Sequence, residues 1–432
     1  MNLVKRKLAE AVVLACAAWA SAEVRAQVPV VILGGGASSV APAIASEITQ
    51  FGLPITYYAV GSSNGERAFL DNDPTWLSVE LTGTVHFANS DAALTPVQVD
   101  TTGSYARTST DGKLIQLPYL VTPVTIPYVS QPSTVTGTVS LNDNDLCGIF
   151  SGKITDWNAI INPATGAAYT AASTPIKVVY RTDGSGMTDL LTRHLAKVCT
   201  TGAGGNSNIA FAETPTFASN FINSTPPLNF TGKSGDASVA SQLVSLRTAG
   251  ATAFGYLSPA YANTTLAPAS TLAAANQLTV ASLRNSHTNA DVTPTYQNAT
   301  LAIGTVVAPT TAADEANPFK WVPGANISST DPSWVAISDP TVGYPISGTS
   351  NIIVSQCYKT DRPAPVVRIR MLNFLTSHYT NSSFAAILRN NGFDVVPTVY
   401  RTSITTDILA NNSSPAHNLN IGNPTACGSL GR

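Results

Sequence analysis

Apolar runs of strand length alternate with helical patterns along the first hundred residues of the chain. The pattern predicts strands over residues 28–33, 55–60 and 84–89, and helices over residues 41–51 and from residue 66 onward. Strands that alternate with helices indicate parallel βαβ units, whose ligands collect outside the carboxyl ends of the strands. The sequence therefore predicts an α/β fold in which the turns after these three strands face one crevice.

The same order of strand, turn and helix returns in the middle of the chain. A strand is predicted over residues 176–180, a Gly/Ser turn follows, and Leu190, Leu191, Leu195 and Val198 mark a helix by their spacing. A return strand is predicted over residues 251–257, so this part indicates a second lobe. Residues 262–345 are rich in Thr, Ala, Asn and Pro and predict only irregular structure with short helices. A helix over residues 366–374 restores order near the end.

The first residues predict an export signal. Lys5, Arg6 and Lys7 precede an apolar stretch over residues 11–20, and small residues precede a cleavage position after Ala22 or Ala26. We therefore expect a signal peptide over residues 1–26 and a periplasmic or secreted protein. A lipoprotein motif ending at Cys16 is the weaker alternative, because the apolar run before it is short.

Composition and cysteine count narrow the classes further. Charged residues make up 11% of the chain and the formal net charge is −2, which excludes a basic surface for nucleic acid. Besides Cys16 there are four cysteines, and an even number in an exported chain predicts two disulfides with three pairings open. The cysteines are not closely spaced and no histidine cluster accompanies them, so no metal site is expected.

Four turns at predicted strand ends carry Gly, Ser or Asp before a helix. They are residues 36–39, 61–63, 90–91 and 183–186. A helix N-terminus offers unpaired N–H groups and partial positive charge, which suit a small oxyanion, and Arg181 adds a forked charged donor. Any one of these turns is explained by helix capping alone. Their recurrence at four strand ends favours an anion site.

Asp91 narrows the identity of that anion. A buried carboxylate beside an oxyanion costs free energy unless a hydrogen bond joins them. Phosphate carries a proton at neutral pH and sulfate does not, so one acceptor among many donors would select phosphate. Considered by itself, Asp91 is equally explained as a residue that caps a helix or turn.

A competing motif is Gly61-Ser62-Ser63-Asn64-Gly65, which matches the G-x-S-x-G nucleophile elbow between a strand and a helix. Ser63 would then need a histidine, and His194 and His287 are the candidates. His194 lies within an apolar helical pattern and His287 within a polar loop, so the hydrolase stays the alternative hypothesis. The turn over residues 184–186 lacks the Lys of a nucleotide-binding loop.

At these residues the chain resembles the periplasmic phosphate receptors of ABC transporters, and more closely their DING subfamily. The resemblance rests on segments spread over most of the chain: GGGAS at 34–38, VGS at 60–62, NSD at 89–91, GKLIQ at 112–116, LCGIFSG at 146–152, VYR at 179–181, GYPI at 343–346, SQCY at 355–358, and the tail from IGN at 421 to Cys427.

The resemblance implies a two-lobed periplasmic-binding-protein-like fold with the ligand cleft between the lobes. Lobe one would comprise residues 27–127 and 259–432, and lobe two residues 128–258. The implied phosphate-binding residues are Ser38, Ser39, Ser62, Asp91, Arg181, Ser185, Gly186 and Met187. Ser38, Ser62 and Ser185 would donate hydroxyls, and Ser39, Gly186 and Met187 backbone N–H groups.

Further roles also follow from the resemblance alone. Asp183 would orient Arg181. A Thr hydroxyl is usual where this chain has Met187, which removes one donor unless Thr188 replaces it. The family disulfides would pair Cys147 with Cys199 and Cys357 with Cys427.

The resulting prediction is high-affinity binding of inorganic phosphate without chemistry, by a solute receptor or an exported scavenger. A secreted phosphatase, or a serine hydrolase using Ser63, is the alternative. Inorganic phosphate and an ABC transporter permease are the expected partners. No cofactor is expected, and the chain is expected to be a monomer.

Overall fold

A computed structural model describes residues 31–99, 105–199, 209–359 and 366–432 of the 432-residue chain, so the predicted signal peptide lies outside the described residues. The strands are β1 (Ile32–Gly36), β2 (Ile55–Ala59), β3 (Phe87–Ser90), β4 (Leu114–Pro123), β5 (Pro127–Val129), β6 (Ser140–Leu141), β7 (Ile176–Arg181), β8 (Phe230–Lys233), β9 (Thr252–Gly255), β10 (Thr279–Val280), β11 (Ser282–Asn285), β12 (Ala290–Val292), β13 (Ser347–Ser355) and β14 (Asp394–Val395).

The α-helices follow the same chain order. They are α1 (Ala41–Phe51), α2 (Ser62–Asp71), α3 (Pro96–Val99), α4 (Thr108–Asp111), α5 (Asp143–Ser151), α6 (Gly186–Val198), α7 (Asp236–Thr248), α8 (Thr271–Asn276), α9 (Tyr296–Ile303), α10 (Ala312–Glu315), α11 (Pro332–Ser338), α12 (Val366–Thr380), α13 (Ser382–Asn390), α14 (Thr398–Ser403) and α15 (Pro424–Cys427).

The first sheet has the strand order β14-β4-β13-β3-β1-β2. Strand β1 pairs in parallel with β2 and with β3, and Gly34 lies opposite Tyr57 on one side and Phe87 on the other. Because β1, β2 and β3 are joined through α1 and α2, the predicted βαβ units and the α/β class are confirmed. Strand β13 is antiparallel to β3 and β4 and brings residues from the last quarter of the chain into the sheet.

The second sheet has the order β10-β5-β9-β7-β8, and β7 is parallel to β8 and β9. A third sheet has the order β12-β11-β6. We call the first sheet with its helices the first lobe, and the other two sheets with theirs the second lobe. Residues 279–292 therefore pair with the second lobe through β10 and β11, whereas the division from sequence places them in lobe one.

The predicted irregular region, residues 262–345, contains the short helices α8 to α11 as expected, but also the strands β10, β11 and β12. Each of these strands has two to four residues. A pattern of period two needs about four to eight residues to be recognised. The strands were missed because they are too short for that alternation.

Two large apolar clusters form most of the core; the first lies mainly in the first lobe and reaches Val179, Leu243 and Ala253 of the second, and the other lies mainly in the second lobe. One includes Ile44 of α1, Phe87 and Leu117 of the first sheet, and Phe374 and Leu388 of α12 and α13, all fully buried. The other includes Leu146, Phe150, Val178, Leu191 and Phe254, also fully buried. The predicted helix over residues 190–198 thus packs its apolar face into the core of the second lobe.

Two disulfides close long loops within the described chain. Cys147 on α5 bonds Cys199, the residue directly after α6, and Cys357 bonds Cys427 at the end of α15. These are the pairs that the family resemblance implied. Within the described ranges, no helix has the length and hydrophobicity that a membrane span requires.

Candidate functional site

The carboxyl ends of β1, β2 and β3 place three predicted turns side by side in the first lobe. Ser38 and Ser39 follow β1, Ser62 opens α2, and Asp91 follows β3, each at most 4% exposed. The Ser39 hydroxyl donates to Asp91 Oδ2 at 2.6 Å, and the Asp91 N–H donates to Ser62 Oγ at 3.4 Å. The structure therefore brings these four predicted residues into one buried group.

The fourth turn faces them from the second lobe. Ser185 caps α6 by accepting a hydrogen bond from the Thr188 N–H at 3.3 Å. The Gly186 N–H donates across the lobes to Ser62 Oγ at 3.0 Å, and the Ser63 N–H donates to the Gly184 carbonyl at 3.1 Å. The two lobes thus meet through backbone groups of their Gly/Ser turns.

Arg181 ends β7 beside these turns and is only 2% exposed. Its Nε donates to Asp183 Oδ1 at 2.8 Å, its Nη2 donates to Asp183 Oδ2 at 2.5 Å, and its Nη1 contacts Asp236 Oδ2. Burial alone would lower the pKa of Arg181, but the charge of Asp236 and the bonds to Asp183 raise it. The guanidinium is therefore permanently charged and held in one orientation.

Asp236 was not identified from the sequence. It is the first residue of α7, is fully buried, and accepts at Oδ2 from the Ser38 hydroxyl at 2.7 Å and at Oδ1 from the Ser258 N–H at 2.9 Å. The available signal was the short strand β8, which is followed by Ser234, Gly235 and Asp236 before a helix. This is a fifth turn of the same kind, and β8 lies beside β7 with Lys233 opposite Arg181.

Asp91 carries the carboxylate for which the sequence predicts the role of acceptor. Burial raises its pKa to about 6, while the hydrogen bond from Ser39 opposes that rise. Its buried Oδ1 has no hydrogen-bond partner of good geometry among the described residues, although the Ser350 hydroxyl, which also lacks one, is close enough to lower the pKa of Asp91. One carboxylate oxygen is therefore left to accept a proton-bearing group.

The chain matches known protein families both in its sequence and in its fold. The model of the PBP superfamily domain matches residues 21–309. A solved structure described as a DING protein is 32% identical, with a TM-score of 0.75 over 93% of this chain and 99% of its own. The chain belongs to the DING branch of the PBP superfamily.

Other relatives agree with this placement over nearly the whole chain. The structure of PfluDING, described as a high affinity periplasmic phosphate-binding protein bound with phosphate, is 33% identical with a TM-score of 0.75, covering 93% of this chain and 99% of its own. Alkaline phosphatase L of Pseudomonas aeruginosa is 31% identical over 100% of this chain and 99% of its own length. A phosphate-binding protein from an unknown prokaryotic organism is 34% identical over 87% and 93%.

Met187 stands where the DING family usually has a Thr. It is fully buried and belongs to the apolar cluster of the second lobe. Its backbone N–H lies in the first turn of α6, where N–H groups lack an acceptor within the helix. The hydroxyl of Thr188 lies 2.8 Å from that of Tyr256. Met187 therefore offers the site only its backbone.

The nucleophile elbow finds no histidine partner among the described residues. His194 Nδ1 lies 2.7 Å from the Ser338 carbonyl, and His287 Nε2 lies 3.1 Å from Asp339. Ser63 instead contacts Gly184 of the opposite lobe. The geometry does not assemble a catalytic triad on this DING chain.

One group outside the cleft has the side chains of a cation site. Ligand atoms of Glu315, Asp407 and His417 all lie within 4.8 Å of one another. His417 Nδ1 is 2.6 Å from Glu315 and 3.8 Å from Asp407, so the three side chains contact one another directly. This group was not identified from the sequence, because Glu315 is about a hundred residues from Asp407 and His417.

Proposed function

We propose that the chain binds inorganic phosphate in the cleft between its two lobes and releases it unchanged. The observation that carries the proposal is the meeting of Arg181, the unpartnered Asp91 Oδ1 and four Gly/Ser turns in one buried site. Donors supplied by helix starts and a guanidinium suit an oxyanion, and the single acceptor suits one that carries a proton. Relatives described as phosphate-binding support the same ligand.

The hydroxyl protons suggest which donors reach the anion. Ser62 Oγ accepts from two backbone N–H groups, and Ser185 Oγ accepts from one, so each hydroxyl keeps its own proton for another acceptor. We assign phosphate donation to Ser62, Ser185 and the remaining N–H groups of Arg181. The N–H groups of Ser39 and Met187 add to the set, and the Gly186 N–H joins it by turning from Ser62 Oγ to the anion.

Two other roles follow from contacts already present. The Ser39 hydroxyl stabilises the Asp91 carboxylate, and Asp183 orients Arg181 with two parallel hydrogen bonds. Asp91 then accepts the proton of phosphate through Oδ1. Fully ionised sulfate offers no such proton and meets only repulsion at that oxygen.

The proposal also covers the localisation of the protein and its partners. The predicted signal peptide would export the chain to the periplasm or beyond the cell. The resemblance to ABC transporter receptors adds a permease as a partner for a monomeric receptor. We keep the division into lobe one, residues 27–127 and 259–432, and lobe two, residues 128–258, as a proposal.

The test is calorimetric titration of the purified mature chain with phosphate, arsenate and sulfate at one pH near neutral. We expect saturable binding of phosphate and arsenate and no binding of sulfate. Absence of phosphate binding would contradict the proposal. Because one relative is described as an alkaline phosphatase, the same preparation is assayed with a phosphomonoester, beside its Ser63→Ala variant. Turnover that Ser63→Ala abolishes would favour the hydrolase instead.

A further inference from the structure

The carboxylate of Asp236 receives two of the groups that an anion in this cleft needs. The Ser38 hydroxyl and the Arg181 Nη1 both point at the same oxygen, Asp236 Oδ2. Ser38 stands in the first lobe and Arg181 in the second. Asp236 therefore already joins, through one oxygen, a hydroxyl and a guanidinium on opposite sides of the cleft.

The Ser38 hydroxyl cannot serve two acceptors. A serine hydroxyl has one proton, and here that proton is donated to Asp236 Oδ2 at 2.7 Å. The same oxygen of Ser38 accepts from the Asp236 N–H at 3.2 Å. While this reciprocal pair stands, Ser38 has no proton for phosphate.

Charge adds to this competition. Arg181 contributes one positive charge to the site, whereas Asp91, Asp183 and Asp236 are three carboxylates, and none of the four is more than 8% exposed. Charges interact most strongly where water is excluded, so a carboxylate bonded to Arg181 opposes the entry of a further anion. Asp183 accepts hydrogen bonds from the Nε side of the Arg181 guanidinium, whereas Asp236 accepts from Nη1.

We propose that Asp236 is an internal anion that competes with phosphate for Ser38 and Arg181 and thereby sets the affinity of this cleft. The inference rests on the proposed phosphate function and deepens it. It makes Asp236, the first residue of α7, a residue that determines the affinity for phosphate. In the unaltered chain, Ser38 is bonded within the protein and contributes little to the bound anion.

The test compares phosphate titrations of the mature chain with those of Asp236→Asn, which keeps the size of the side chain and removes its charge. We expect the variant to bind phosphate at least about tenfold more tightly, because a repulsive charge is lost and the neutral amide oxygen is a weaker acceptor for the Ser38 proton than the carboxylate. Asp291→Asn is the matched control, since Asp291 pairs with Arg284 at 2.6 Å on strand β12, outside the cleft. The control should leave phosphate affinity unchanged.

Ser38→Ala provides an independent measurement. In the unaltered chain it should weaken phosphate binding by less than about threefold. In the Asp236→Asn background the same change should cost at least about tenfold, since a charged phosphate oxygen then competes with a neutral amide for the Ser38 proton. Asp236→Ala serves as a second variant if Asp236→Asn does not fold. If neither folds, Ser38→Ala in the unaltered chain decides.

The outcomes separate the two proposals. If the unaltered chain binds phosphate and Asp236→Asn binds it equally or more weakly, the internal anion is wrong and the phosphate function stands. A large loss from Ser38→Ala alone overturns the internal anion as well. If neither the unaltered chain nor any folded variant binds phosphate, the phosphate function itself fails. Binding that appears only in Asp236→Asn contradicts the proposed function of the unaltered chain and supports Asp236 as the internal anion that blocks the cleft.

Discussion

Arg181→Ala probes the centre of the site, because this guanidinium holds two buried carboxylates and faces the cleft. The change leaves Asp183 and Asp236 without their shared cation, at 8% and 0% exposure. Removing one partner of a buried ion pair costs about 3–5 kcal/mol, since the remaining charge stays desolvated and unpaired. We therefore expect the free energy of unfolding to fall by about 3–5 kcal/mol.

The same substitution removes the charged donor that we propose for phosphate. Truncating one partner of a buried, hydrogen-bonded charge pair at a binding site costs at least about 2 kcal/mol. At 1.4 kcal/mol per tenfold, that corresponds to a loss of roughly 30-fold or more in phosphate affinity. Arg181→Lys should recover only part of both losses, because a single ammonium cannot reproduce the fork that grips Asp183.

Urea unfolding measures the stability, and calorimetric titration at fixed ionic strength measures the affinity. Arg284→Ala is the control, since Arg284 pairs with Asp291 at the surface and exposed pairs contribute about 0–1 kcal/mol. An Arg181→Ala protein that loses less than about 1 kcal/mol and binds phosphate normally would refute both arguments. A large loss of stability with unchanged affinity would leave Arg181 a structural residue only.

Three further predictions test other parts of the molecule. Asp91→Asn should narrow the preference for phosphate over sulfate, mostly by removing the negative charge that excludes sulfate. If paired titrations show that the variant still does not bind sulfate and binds phosphate as before, Asp91 acts only as a helix or turn cap. Burial raises the pKa of Glu66 to about 7, although hydrogen bonds donated by Ser90 and Gln98 oppose the rise. Glu66 therefore stabilises the folded protein fully below its unfolded pKa near 4.5, and this contribution is lost as pH rises through 7. Glu66→Gln should therefore stabilise the protein by up to about 3 kcal/mol at pH 8 but not at pH 4, and equal melting shifts at both pH values would contradict the assignment. Removing the Cys147–Cys199 disulfide, whose cysteines are 52 residues apart, should cost about 4 kcal/mol in urea unfolding, and a cost near zero would exclude the loop-entropy argument.

Much of this site could be predicted from the sequence because its geometry is local. A strand, a Gly/Ser turn and a helix start are contiguous in the chain, so Ser38, Ser62, Asp91 and Arg181 could be recognised one turn at a time. Parallel pairing then brings the strand ends together. Nothing beyond periodicity and turn chemistry is needed for that step.

The partners of these residues could not be predicted in the same way. Asp236 meets Ser38 across 198 residues, and the contact depends on how the two lobes face each other. Its strand β8 has only four residues and half-buried side chains, so it gives a weak apolar signal. The hydroxyl of Ser39 was assigned no role because only its position before α1, not its distance from Asp91, is visible in the sequence.

The nucleophile-elbow motif illustrates why short motifs need their packing context. Gly61 has φ of 90°, and a Cβ there would collide with the Asp183 carboxylate of the opposite lobe. A Cβ on Gly65 would collide with the backbone of Gly36 in the neighbouring turn. Both glycines are therefore required by the close approach of the two lobes and of two turns, whatever Ser63 does. Since the site's own assembly demands G-x-x-x-G at this position, the match to a hydrolase motif carries no independent evidence for catalysis.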